Sequence, residues 1–173
     1  TAGRRSIAAT GCTPAPGVLY SELLPTLGDR IVDTVVQRVQ AAQSSQGDMI
    51  SDLVAETLIR IGSPAADAAA VSLVDDPNEL AREAGMRVLE KRPSAAALNG
   101  LWTEYRRLEP TDGADDQVRA CRIRKDVCSR ALRASAPLKP AWLLESIRND
   151  GRDKQLAPIL ADILSGLEGN EAG

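Results

Sequence analysis

The chain has 173 residues, 43% of them apolar and 26% charged, which describes one folded domain, or one segment of a larger repeat protein, rather than a disordered chain. It contains no His, no Phe, two Trp and two Tyr, and carries a net charge of −3. Without His, Ser-His-Asp and Cys-His catalysis and a Cys₂His₂ zinc site are excluded within this chain, and nothing in the overall charge favours nucleic acid or an anionic membrane.

Three cysteines, Cys12, Cys121 and Cys128, are too few and too odd in number for a disulfide framework, so a reducing, cytoplasmic setting is expected. No apolar run approaches the ~18 residues of a membrane span, so no membrane association is expected. Residues 1–16 show no periodicity and read as a flexible arm. Within them Arg4, Arg5 and the Gly11-Cys12 pair outline a lipoprotein signal. The apolar stretch between them, about six residues, falls short of a secretory core of ~7–15. Residues 17–168 read as one helical domain and residues 169–173 as a flexible tail. The chain opens at Thr1 and is expected to belong to a larger protein or complex.

From residue 18 onward the apolar spacing is helical. Leu27, Ile31, Val35 and Val39 repeat every four residues. Ile50, Leu53, Val54, Thr57, Leu58 and Ile61 form the next stripe. Ala66, Ala69, Ala70, Leu73 and Val74 follow, and then Leu80, Ala81, Ala84, Gly85, Val88 and Leu89, both with small residues that permit close helix approach. Leu98, Leu101, Trp102, Tyr105 and Leu108 make the heaviest stripe, read as core. Leu156, Ile159, Leu160, Ile163, Leu164 and Leu167 make the last. Between stripes stand Gly62-Ser63-Pro64, Asp75-Asp76-Pro77-Asn78, Arg92-Pro93-Ser94, Pro137 with Pro140, and Asn149-Asp150-Gly151. Pro64 and Pro93 are expected to open helices, because a first-turn residue needs no amide hydrogen. Asp75, Asp76 and Glu79 place negative charge at a helix start, and Arg87, Lys91 and Arg92 place positive charge at its end, both complementing the helix dipole. Residues 109–116 (EPTDGADD) read as a long polar loop. No alternating run predicts a strand.

The helices pair, and the pairs repeat: Leu53 and Leu80 are 27 apart, as are Arg60 and Arg87, while Pro64 and Pro93 are 29 apart. The segment Ala55-Glu56-Thr57-Leu58-Ile59-Arg60-Ile61-Gly62-Ser63-Pro64-Ala65-Ala66 resembles the short HEAT repeat of the phycobilisome-lyase type, whose turn reads Ile-Gly-Asp-Pro-Ala. Ser63 alone departs from that turn. Ala81-Arg82-Glu83-Ala84-Gly85-Met86-Arg87-Val88-Leu89 is similar to the first helix of a following repeat, and Val118-Arg119-Ala120-Cys121 reopens the pattern, although Arg124, Lys125 and Asp126 depart from it. The resemblance is best over residues 49–91, extends over 78–134, and is weak before 48 and after 137. It implies an all-α fold, a short right-handed α-solenoid of antiparallel HEAT-like helix pairs whose second helices line a concave face.

Residues 117–139 hold seven basic groups and one acid, a local charge of +6. Arg119, Arg122, Arg130 and Arg133 share one helix face with Asp126 at i+3 and i+4 spacing. They are the candidate partner-binding residues, a ridge for an acidic protein segment or for phosphates; the competing reading is a solvated face paired with nearby acids or a neighbouring helix. Cys121 and Cys128 lie two turns apart, ~10 Å, too far to bridge, and read as core, although a reactive thiol beside Arg122 and Lys125 is the alternative. Glu79, Glu83, Glu90 and the loop acids lack the pattern of a metal site and read as solvated surface; no phosphate-binding glycine loop is present. No catalytic residue, metal or cofactor site is expected. The resemblance implies a non-catalytic protein–protein scaffold or adaptor. The alternative is a nucleic-acid-binding HEAT-like module, as in alkylpurine DNA glycosylases, and the third reading is a bilin lyase or lyase chaperone.

Overall fold

The structure is a computed structural model that describes residues 24–43, 48–108, 115–154 and 156–170. The arm at 1–16, Cys12, residues 109–114 of the polar loop and the last three residues lie outside that set. Among the described residues the regular structure is entirely helical, with no strand. The α-helices are α1 (Val32–Gln40), α2 (Asp48–Ile61), α3 (Pro64–Val74), α4 (Glu79–Lys91), α5 (Leu98–Arg107), α6 (Asp115–Ser135), α7 (Pro140–Asp150) and α8 (Ala157–Asn170). Short 3₁₀ segments cover Leu24–Ile31, Ala95–Ala97 and Ala136–Leu138. No helix among the described residues is long and apolar enough to cross a membrane.

The turn chemistry sets most boundaries. Gly62 ends α2 at φ 61°, a left-handed conformation open to glycine, with its amide donating to Leu58 O at 3.0 Å. Ser63 then caps α3, its Oγ accepting from Ala66 N at 3.2 Å, and Pro64 takes the first helical position. Ser63 thereby satisfies one of the free amide groups at the start of α3. Asn78 caps α4 by accepting from Leu80 N at 2.9 Å, while its amide donates to Gln40 O and Ala42 O and ties the end of α1 to the start of α4.

Three expectations are corrected here. The Leu27 stripe is not one helix: Gly28 at φ 58° breaks it, and Leu27 is exposed. Pro93 does not open a helix. Ser94 caps the 3₁₀ turn Ala95–Ala97, and α5 begins only at Leu98. The loop ends earlier than residue 116, because α6 already includes Asp115 and Asp116, acids placed where the helix dipole favours them.

Helix α4 is central. It packs against α1, α2, α3 and α6, and nine of its 13 residues are buried. The approach to α3 is close at Gly85, where a Cβ would stand 2.8 Å from Ala70 O and 2.9 Å from Leu73 Cβ. Further along, α6 packs on α5 and α8, and α7 on α8. The continuous core runs from Val32 through Leu58, Leu73, Met86, Leu89, Leu101 and Leu132 to Ile163. Leu164, expected on the last core stripe, is 37% exposed.

Candidate functional site

The basic residues of α6 divide into two groups. Arg124 pairs with Glu79 on α4, Arg130 pairs with Glu90 on α4 at 3.2 Å and with Asp126 on its own helix, and Arg133 pairs with Asp162 on α8 at 2.5 Å. These guanidinium groups join α6 to the helices on either side. Arg119 and Arg122 are exposed and make no ion pair among the described residues. Lys125 lies over the Tyr105 ring, 4.8 Å from its centroid, and so contacts α5 rather than solvent alone. Of the four candidate partner-binding residues, two are therefore engaged in contacts between helices and two stand open at the N-terminal half of α6.

The acids read as solvated surface also divide. Glu79 is exposed and Glu90 half-buried, but Glu83 is only 3% exposed. Its carboxylate meets Arg87 at 2.7 Å one turn on, and Arg87 reaches across to Asp52 of α2 at 2.9 Å. A buried carboxylate needs such a partner, and the i+4 arginine supplies it. Arg82 and Glu104 form a second buried pair at 3.0 Å between α4 and α5, with Arg82 also donating to Asp76 O and Pro77 O. Arg92 grips Asp67 through two nitrogens at 2.6 and 2.8 Å and Gly62 O at 2.8 Å, locking the end of α4 to the α2–α3 turn. That bidentate contact holds the Asp67 carboxyl below the usual carboxylate range.

Cys128 is buried, with its thiol donating to Leu101 O at 3.2 Å, and burial pushes its pKa up and so favours the neutral thiol. Among the described residues no cluster of His, Cys, Asp and Glu could hold a metal ion.

A cleft of about 370 Å³ opens between α5 and α7. Its floor is made by Trp102 and Trp142, which meet edge to face with centroids 5.8 Å apart, while Tyr105 stacks on Trp102 at 5.9 Å. Both indoles are fixed by their N–H groups: Trp102 Nε1 donates to Asp150 Oδ2 at 2.9 Å, and Trp142 Nε1 donates to Asn99 Oδ1 at 3.0 Å. Arg106 approaches Asp150 from the rim at 3.9 Å, and Lys139, Glu145 and Asn149 complete the polar walls. On α7 the lining positions 142, 145, 146, 149 and 150, with Lys139 just before the helix, follow helical spacing, and on α5 positions 99, 102 and 106 do the same, so one face of each helix is turned to the cleft. The apolar spacing marks Trp102 as core, whereas no stripe or motif marks Trp142. The available signal is that these are the only two Trp of the chain. Trp102 is indeed 93% buried, but its edge is the floor of the cleft.

Comparisons with protein families, curated proteins and solved structures find no match to this chain.

Proposed function

We propose that the chain is a non-catalytic protein–protein interaction module built from HEAT-like helix pairs, working within a larger protein or complex. In this reading α2, α4, α6 and α8 are the first helices of successive pairs, and α3, α5 and α7 the second. The packing of first helices supports it, α2 on α4, α4 on α6 and α6 on α8, and α2 also packs on its own second helix α3, whereas α4 packs on α3 and α6 on α5. The ion pairs support it as well. Glu56–Arg60 and Glu83–Arg87 are i,i+4 pairs 27 residues apart, and Asp52–Arg87, Glu79–Arg124 and Arg133–Asp162 each join one first helix to the next.

The observation that carries the function is the position of the cleft. It lies between α5 and α7, which this reading takes as the second helices of consecutive pairs, the helices that would line the concave face of such a stack. Fixed aromatics ringed by polar side chains of both charges suit a binding surface.

Photocross-linking tests this. A benzophenone amino acid at Asn149, in the cleft, is expected to give a protein adduct in the source cells, resistant to nuclease and formed at physiological salt. The same group at Ala161, exposed on α8, is expected to give none. A nuclease-sensitive adduct would favour the nucleic-acid alternative; no adduct at Asn149 would count against an interaction surface there.

A further inference from the structure

We propose that the α5–α7 cleft receives an extended peptide segment carrying two acidic side chains about four residues apart, one held by Lys139 and the other by Arg106. This deepens the interaction-module reading and rests on it.

The length comes from the helix that forms one wall. Helix α7 has 11 residues, so the wall is about 16 Å long. An extended peptide rises about 3.3 Å per residue, so about five residues span it, and residues i and i+4 of such a strand face the same side. The charge order comes from the lining. Lys139 stands at the N-terminal end of α7, exposed and without an ion-pair partner among the described residues. Arg106 stands at the other end beside Asp150, and its side chain is 55% exposed. Its only ion pair there is the 3.9 Å contact, and Asp150 Oδ2 is already taken by Trp102. Among the described residues, most guanidinium donors of Arg106 therefore remain open to a carboxylate. Glu145 lies between the two cations and disfavours a third acid in the middle of the segment.

The remaining groups suit a backbone. Asn99 spends its Oδ1 on Trp142 and keeps its amide N–H groups for a peptide carbonyl. Asn149 is exposed on the facing wall and can both donate and accept. The indoles, locked by Asp150 and Asn99, give a preformed floor that pays little ordering entropy on binding.

Both tryptophans of the chain lie in this cleft, so their emission reports its occupancy without a label. The probe is a capped pentapeptide, Asp-Ser-Gly-Ser-Asp, titrated into the full chain at low ionic strength. The expected result is a saturable change in emission that the Lys-Ser-Gly-Ser-Lys peptide does not produce and that added salt weakens. The double variant Arg106→Gln with Lys139→Gln, which removes both cations without setting an acid beside Asp150, should weaken the interaction by about tenfold or more. Its circular dichroism and melting temperature should match those of the parent, which keeps the loss separate from misfolding. The double variant Arg119→Glu with Arg122→Glu should bind as the parent does. No response to the acidic peptide, an equal response to the lysine peptide, or a loss confined to the Arg119 and Arg122 variant would each overturn the proposal. A protein adduct at Asn149 that survives the Arg106 and Lys139 change would overturn it while leaving the interaction-module reading standing.

Discussion

Arg82 and Glu104 are 5% and 4% exposed and pair with each other, while Arg82 also donates to Asp76 O and Pro77 O and Glu104 also meets Arg107 at 3.3 Å. Removing one member takes from the other its buried opposite charge. Glu104→Leu is expected to cost about 3–5 kcal/mol in urea titration, whereas Arg82→Leu combined with Glu104→Leu should recover part of that loss, because a buried pair replaced by apolar groups leaves no orphaned charge. A double variant less stable than either single one would show that the bonds from Arg82 to Asp76 O and Pro77 O matter more than the pair. Gly85 offers a second residue-scale test. Alanine is the better helix former by about 1 kcal/mol, yet Gly85→Ala should destabilise by about 1–3 kcal/mol, because its Cβ would press on Ala70 O, a backbone atom with little room to move. A neutral or stabilising effect on the melting temperature would mean that α3 and α4 are farther apart. At this scale the sequence was readable where size decides, as at Gly85, Leu101 and Leu73. It was unreadable where pairing decides. Glu83 looks like surface by residue type and is buried because Arg87, one turn on, neutralises it, and Asp52 from α2 in turn occupies that arginine.

At the scale of elements, the helices owe their places to caps and inter-helix ion pairs as much as to apolar stripes. The Asp67–Arg92 contact gives a pH test. The Asp67 carboxyl is held below its ordinary value by the hydrogen bonds from Arg92. A depressed carboxyl contributes stability that is fully present above its unfolded pKa, about 3.9, and is lost as pH falls through the lower folded value. Stability should therefore decline below about pH 4, and Asp67→Asn should flatten that part of the curve while lowering the plateau only slightly, since the pair is about one-third exposed. An unchanged acid slope would remove the contact from the account. Helix α6 gives a second test. Arg130→Glu sets an acid against both Glu90 and Asp126 and should lower the melting temperature clearly, whereas Arg122→Glu, on an open surface, should stay within about 0.5 kcal/mol of the parent. The positions of most helices could be read from periodicity and from Gly62-Ser63-Pro64. The start of α5 could not, because Pro93 and Ser94 fit a 3₁₀ turn as well as a helix opening, and only the packing of Ala97 and Leu98 chooses between them.

For the whole molecule, the packing order turns local pairing into a surface. Helix α4 is packed by α1, α2, α3 and α6, and a cleft among the described residues lies where α5 and α7 face each other. That concavity was not legible in the sequence. It requires Trp102 and Trp142, 40 positions apart, to meet edge to face, and no local pattern announces such a meeting. The most direct measurement is amide hydrogen exchange on the full chain, free and bound to the protein captured at position 149. Added protection concentrated in Leu98–Arg107 and Pro140–Asp150, with α2 unchanged, is the predicted footprint. Protection centred on the Arg119 and Arg122 end of α6, or spread evenly over the chain, would contradict the assignment of the α5–α7 cleft as the working face.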